Sequence, residues 1–81
     1  MSQTQYQKVR EFMQAFGQEC PERPGMPSDS VCALRAKLHK EEAVTEFSCA
    51  CLEGNTVKAF DSVLDGLVVV LGTAIAFGIT E

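Results

Sequence analysis

Basic residues are scarce in this chain and never crowd together: seven Lys and Arg stand against eleven Asp and Glu, for a net charge of −4. A surface of that sign repels phosphate backbones, so no nucleic-acid partner is expected. Cysteine motifs for metal are missing as well. Cys20, Cys32, Cys49 and Cys51 include a Cys-x-Cys pair but no Cys-x-x-Cys, and the single histidine, His39, completes no zinc pattern. Free, partly buried thiols are expected, and with them a reducing compartment. Long apolar runs are lacking too. The stretch from Gly66 to Ile79 is fourteen residues, broken by Gly72, Thr73 and Gly78, against roughly 20 for a bilayer span. The N-terminus is polar through Arg10, so no secretory leader is expected. Together these absences predict a cytoplasmic protein with no membrane partner.

What the chain does have is apolar surface in excess of its size. Its 81 residues make a single domain, 1–81, yet 46% of them are hydrophobic. A chain this short leaves much of that surface uncovered when folded alone. The excess sits near the C-terminus, in Leu67–Leu71 and Ala74–Phe77, and predicts an obligate homo-oligomer, dimer or tetramer.

Periodicity predicts three helices. Tyr6, Val9, Phe12, Met13 and Phe16 are spaced at three and four, giving a helix over about Thr4 to Phe16 that Gly17 ends. Pro21, Pro24, Pro27 and Gly25 then forbid regular helix, so Gln18 to Pro27 reads as an extended loop. Ser28, Asp29 or Ser30 can cap a second helix that carries Val31, Leu34 and Leu38 and ends near Leu52. Gly54 and Asn55 supply the turn, and a third helix runs from about Thr56 to Phe77. Val68 to Val70 are β-branched, but no second strand candidate exists to pair with them, and the fold class is all-α.

Four carboxylates stand at mirror positions around that turn. Glu42 and Glu46 precede it, Asp61 and Asp65 follow it, and each pair Glu46/Asp61 and Glu42/Asp65 is centred between residues 53 and 54. Folded back on each other, the two helices would bring these acids together at two levels about 6 Å apart. Four like charges so placed call for a divalent cation, and Mg²⁺ or Mn²⁺ suits carboxylate oxygens and phosphates. Such a centre serves phosphate chemistry, with Glu41 as the natural acceptor of an attacking water's proton. The plainer reading is a solvated helix face, on which Lys37, Lys40 and Lys58 pair with Glu41 or Asp61 instead of meeting a ligand's phosphates; Arg35 divides the same way. His39 reads as a surface or packing residue, and Phe12, Met13 and Phe16 as core, although aromatic rings beside an acidic site can stack on a base.

At these residues the chain resembles the all-α nucleoside triphosphate pyrophosphohydrolase superfamily, and within it the short MazG-like or phosphoribosyl-ATP pyrophosphohydrolase-like proteins. The matching features are Phe12, Phe16-Gly17, the proline loop to Pro27, Arg35, Leu38, Glu41-Glu42, Asp61-Ser-Val-Leu-Asp65-Gly-Leu, Gly72-Thr-Ala and Phe77-Gly-Ile. The family pattern has two adjacent glutamates, a third three residues after the second, then an acid and an aspartate on the next helix. Glu41, Glu42 and Asp65 match it. Thr45 takes the third glutamate's place and Glu46 sits one residue later, while Asp61 precedes Asp65 by four, not three. One residue is about 100° around an α-helix, so Glu46 serves only where the helix adjusts. Members usually continue with further helix after the Phe-Gly-Ile segment, so that part of the nucleotide pocket would come from a neighbouring subunit or be missing.

The resemblance implies a three-helix protomer that completes a four-helix-bundle core in a dimer or dimer of dimers. It also implies Mg²⁺ on Glu42, Glu46, Asp61 and Asp65, and hydrolysis of a nucleoside triphosphate to monophosphate and pyrophosphate, often as house-cleaning of nucleotides. The alternative is a non-catalytic helical module that binds metal or nucleotide. No residue is tied to recognising the base or sugar.

Overall fold

A helix begins where a small polar side chain can accept from the free backbone N–H groups of its first turn. In the computed structural model, which describes residues 3–80, Thr4, Ser28 and Asn55 each do this. Thr4 Oγ1 accepts from the Gln7 backbone N–H at 3.1 Å while the Gln7 side chain accepts from the Thr4 N–H at 2.9 Å, a capping box that opens α1 (Gln5–Ala15). Ser28 opens α2 (Asp29–His39), and Asn55, accepting from the Lys58 N–H at 3.0 Å, opens α4 (Thr56–Ala76).

From Asp29 to Glu53 the chain never leaves helical backbone. A π-helical stretch, Lys40–Glu46, follows α2 directly and leads into α3 (Phe47–Glu53), so Asp29 to Glu53 is one rod. The rod ends at Gly54, whose φ of 68° and ψ of 25° place it in the left-handed region that a residue without Cβ enters at no steric cost. Asn55 then turns the chain into α4, which packs back along the rod. The fold is thus three helical rods with no strand among the described residues. Val68 to Val70 lie in the middle of α4, because a lone β-prone run has no partner ladder to join.

The core lies at the end away from the turn. Val9 and Met13 of α1 pack with Ile75 and Ala76 of α4, with Tyr6, Val31 and Leu71 around them. Polar contacts close the same end: the Tyr6 hydroxyl donates to the Ile79 carbonyl at 2.8 Å, Arg10 to the Cys20 carbonyl at 3.0 Å, and the Gly25 N–H to the Phe77 carbonyl at 2.9 Å. His39 Nε2 meets Thr73 Oγ1 at 2.8 Å, tying α2 to α4. Ile75 is fully buried. Ile75→Ala is therefore expected to cost about 2–5 kcal/mol, as the lost transfer energy plus a cavity, and to lower the midpoint of urea unfolding accordingly.

The protomer leaves much of α4 uncovered. Phe60, Val63, Leu64, Leu67 and Val70 are each at least half exposed and recur at three and four along the helix, which puts them on one stripe. The radius of gyration is 13.9 Å, against about 12 Å for a compact chain of this length. The helix is also longer than the Gly66–Ile79 run suggested: its 21 residues are by length and composition enough to cross a membrane. Its first half, however, carries Asp61 and Asp65, and its second half holds the buried Gly72, Ile75 and Ala76.

Candidate metal centre

The winding of the rod decides which acids meet. In a π-helix each N–H reaches back five residues instead of four, so the turn is wider and residues four apart fall closer to one line. Glu42 and Glu46 both lie in the Lys40–Glu46 stretch. Their carboxylates, together with that of Asp65 on α4, offer three ligand atoms that all lie within 4.8 Å of one another. The local adjustment that Glu46 requires is therefore present in the backbone itself.

The four mirror-placed acids are not equivalent. Glu42 and Asp65 come together across the two helices and Glu46 joins them, while Asp61 stands outside this trio. Asp61 is one turn back along α4 and lines a cavity of about 300 Å³ with Glu46, Glu53, Lys58, Ser62 and Asp65. The π winding of Lys40–Glu46 brings Glu46 toward the line of Glu42, while Glu46 and Asp61 still line one cavity. Asp61 and Asp65 are also exposed, not sunk into the apolar helix as the sequence around them suggests. Glu53 and the buried Ser62 had not stood out in the sequence; Glu53 follows Glu46 by seven, the two-turn spacing that puts residues on one face.

The remaining candidates sit at the margin. Glu41 is half-buried beside Glu42, and its carboxylate lies 3.9 Å from the Lys37 ammonium one turn earlier. Lys58 lies 3.7 Å from Glu53, not beside Asp61. Lys40 is exposed. Both ion pairs are solvent-accessible and contribute little to stability. Cys20 and Cys32 are half-buried, Cys49 and Cys51 are exposed rather than partly buried, and all four are free thiols.

Among the described residues, no Lys, Arg or His nitrogen comes within 4.0 Å of Glu42, Glu46, Asp61 or Asp65. Glu42 Oε2 is shielded from solvent and has no hydrogen-bond partner. The Glu42 carboxyl is pushed above its ordinary range, first by the hydrogen-bonding approach of Glu46, then by desolvation, then by the charges of Glu46, Asp65 and Glu41. Three carboxylates held this close, with an orphaned oxygen and no cation to neutralise them, fit a hard divalent ion that takes oxygen ligands.

A strandless three-rod protomer with such an acidic centre between its second rod and its last helix has the architecture of the all-α nucleoside triphosphate pyrophosphohydrolases. Within that superfamily the chain belongs to the phosphoribosyl-ATP pyrophosphohydrolase family, whose profile matches residues 9–81. Membership points to pyrophosphohydrolase activity on a nucleotide. No individual curated protein is similar enough to count as a relative.

Proposed function

We propose that this protein is a Mg²⁺-dependent nucleoside triphosphate pyrophosphohydrolase that releases a nucleoside monophosphate and pyrophosphate, in the manner of a house-cleaning enzyme. The observation that carries this reading is the uncompensated trio Glu42, Glu46 and Asp65, placed within the segment that matches the family. Those three residues would hold Mg²⁺ or Mn²⁺, with Asp61 at the rim of the adjoining cavity. A bound divalent ion there offsets the charge of the phosphates and of the transition state.

The chain's own residues supply the rest. Glu41 is close enough for its charge to act on Glu42, and its carboxylate is the base that accepts the attacking water's proton. Lys58, which lines the acidic cavity, and the exposed Lys40, next to Glu41 in the chain, are long cationic side chains suited to the outer phosphates once Lys58 leaves Glu53. The four free thiols suit a reducing cytoplasm.

The test is pyrophosphate release from a panel of canonical and modified nucleoside triphosphates with Mg²⁺, Mn²⁺ or EDTA. Metal-dependent release supports the enzyme; none from a folded oligomer would leave a binding module.

The exposed stripe on α4 is, on this reading, the face that completes a helical bundle with another copy. Leu67→Asp puts a charge in the middle of that stripe. It is expected to shift the chain from oligomer to monomer by light scattering coupled to gel filtration, with a lower melting midpoint that depends on protein concentration in the wild type.

A further inference from the structure

Two helical turns from the acidic trio lies a buried charge that the metal centre does not use. Arg35 is 8% exposed, its Nε has no hydrogen-bond partner, and its Nη2 makes one long bond of 3.5 Å to Gln18 Oε1. Among the described residues no carboxylate lies within 4.0 Å of it. Burial lowers its pKa from the usual guanidinium value. Gly72 makes room for it: a Cβ there would come within 2.6 Å of Arg35 Nη1, so the guanidinium packs onto the bare backbone of α4. A guanidinium carries five donors in a rigid fork, and the buried Nε donates to nothing here, which is costly.

Arg35 lines a groove of about 180 Å³ together with Phe12, Gln18, Leu38, Val69 and Gly72. That is smaller than the roughly 300–1,000 Å³ of a pocket for a whole ligand, and it suits one part of a larger molecule. Its walls are apolar, and Phe12, 60% exposed and 4.7 Å from the Phe16 ring centre, offers a ring face. The groove is aligned with the metal centre. Arg35, Leu38 and Glu42 share one face of the rod, and Asp65, Val69 and Gly72 share one face of α4, at intervals that span two turns, about 10 Å. That separation matches the step from a nucleotide's innermost phosphate across the sugar to its base.

We infer that this groove reads the base of the nucleotide: the ring lies against Phe12, and the Arg35 fork, steadied by Gln18, donates to two neighbouring acceptors on the base edge. The ligand class is a base with paired adjacent acceptors, as on the O6/N7 edge of guanine or the O2/N3 edge of cytosine; adenine and uracil offer no such pair, so this chain would depart from the adenine nucleotide for which its family is named. Apolar walls and the lack of a second cation argue against a phosphate in the same place. The inference rests on the nucleotide reading given above for the acidic centre.

The experiment measures kcat/KM for GTP, CTP, ATP and UTP with Mg²⁺, and binding of the four nucleoside monophosphates in EDTA. A preference for the guanine or cytosine member of roughly 10- to 100-fold is expected from one bidentate contact. Arg35→Lys, which keeps the charge but not the fork, should erase that preference. Phe12→Ala, at an exposed position, should raise KM about tenfold through lost stacking while leaving kcat and the Mg²⁺ response of the melting midpoint unchanged; it also stands in if Arg35→Lys does not fold.

Equal use of all four bases, a preference that survives Arg35→Lys, or a Phe12→Ala variant with unchanged KM and monophosphate binding would overturn the inference. Competition by pyrophosphate that depends on Arg35 would do so too. The two readings separate cleanly. Hydrolysis without base preference keeps the enzyme and removes the base site, whereas base-selective monophosphate binding without hydrolysis keeps the site and removes the enzyme.

Discussion

Asp65→Asn is expected to lower Mg²⁺-dependent pyrophosphate release by two orders of magnitude or more while the oligomer stays intact. Asp65 is the sole member of the trio from α4, so without its charge the ion would be held from one helix alone. A metal contributes several kcal/mol of charge stabilisation in a phosphoryl transition state, and each 1.36 kcal/mol is tenfold in rate. The side chain is exposed and, among the described residues, makes no hydrogen bond or ion pair, which is why folding and assembly should survive. Pyrophosphate assays beside gel filtration check both halves. Equal activity in the variant would remove the metal centre from the mechanism, and Asp61→Asn, outside the trio, should do less harm.

Saturating Mg²⁺ is expected to raise the melting midpoint, by about 10 °C or more at a hundred times its dissociation constant for a domain of this size. Without metal, the sign of the pH dependence follows from Glu42. Its carboxyl is raised above the ordinary value of 4.5 by Glu46, Asp65 and Glu41, so the folded state holds the proton more tightly than the unfolded state. That contribution is fully present below the ordinary value and is lost as pH rises through the raised one. Metal-free wild type should therefore lose stability relative to Glu42→Gln between acid and neutral pH, and the two should converge in acid. With Mg²⁺ at neutral pH the order reverses, because only wild type keeps the ligand set. Melting curves across pH, with Mg²⁺ and with EDTA, distinguish these cases. A Glu42→Gln protein that keeps the full Mg²⁺ shift would take Glu42 out of the site.

Much of this architecture is legible in local chemistry. Thr4, Ser28 and Asn55 cap helices because a short polar side chain finds the first-turn N–H groups, and Gly54 turns left-handed because it has no Cβ. The crossing of Glu42 with Asp65 follows from counting residues on either side of that turn. The partnership of Glu46 does not. Counting in α-helical steps sets it level with Asp61 and a turn from Glu42, and it is the π winding of Lys40–Glu46 that gathers it with Glu42 and Asp65. Its position one residue past the family's third glutamate was the signal that the winding had to change. Lys58 went to Glu53 for a similar reason: across the turn, Glu53 is the nearer acid.

By itself, then, the sequence determined an all-α chain, the ends of its helices, the excess of apolar surface on the last of them and the two facing sets of acids. These depend on side chains acting on their own backbone or on spacing along one helix. Only the tertiary structure decided which three carboxylates meet, that Asp61 and Asp65 stay open to solvent, and that Arg35 is buried against Gly72 with its Nε unpartnered. Those depend on how one rod is wound and seated against another, a balance of packing between distant segments that no local pattern records.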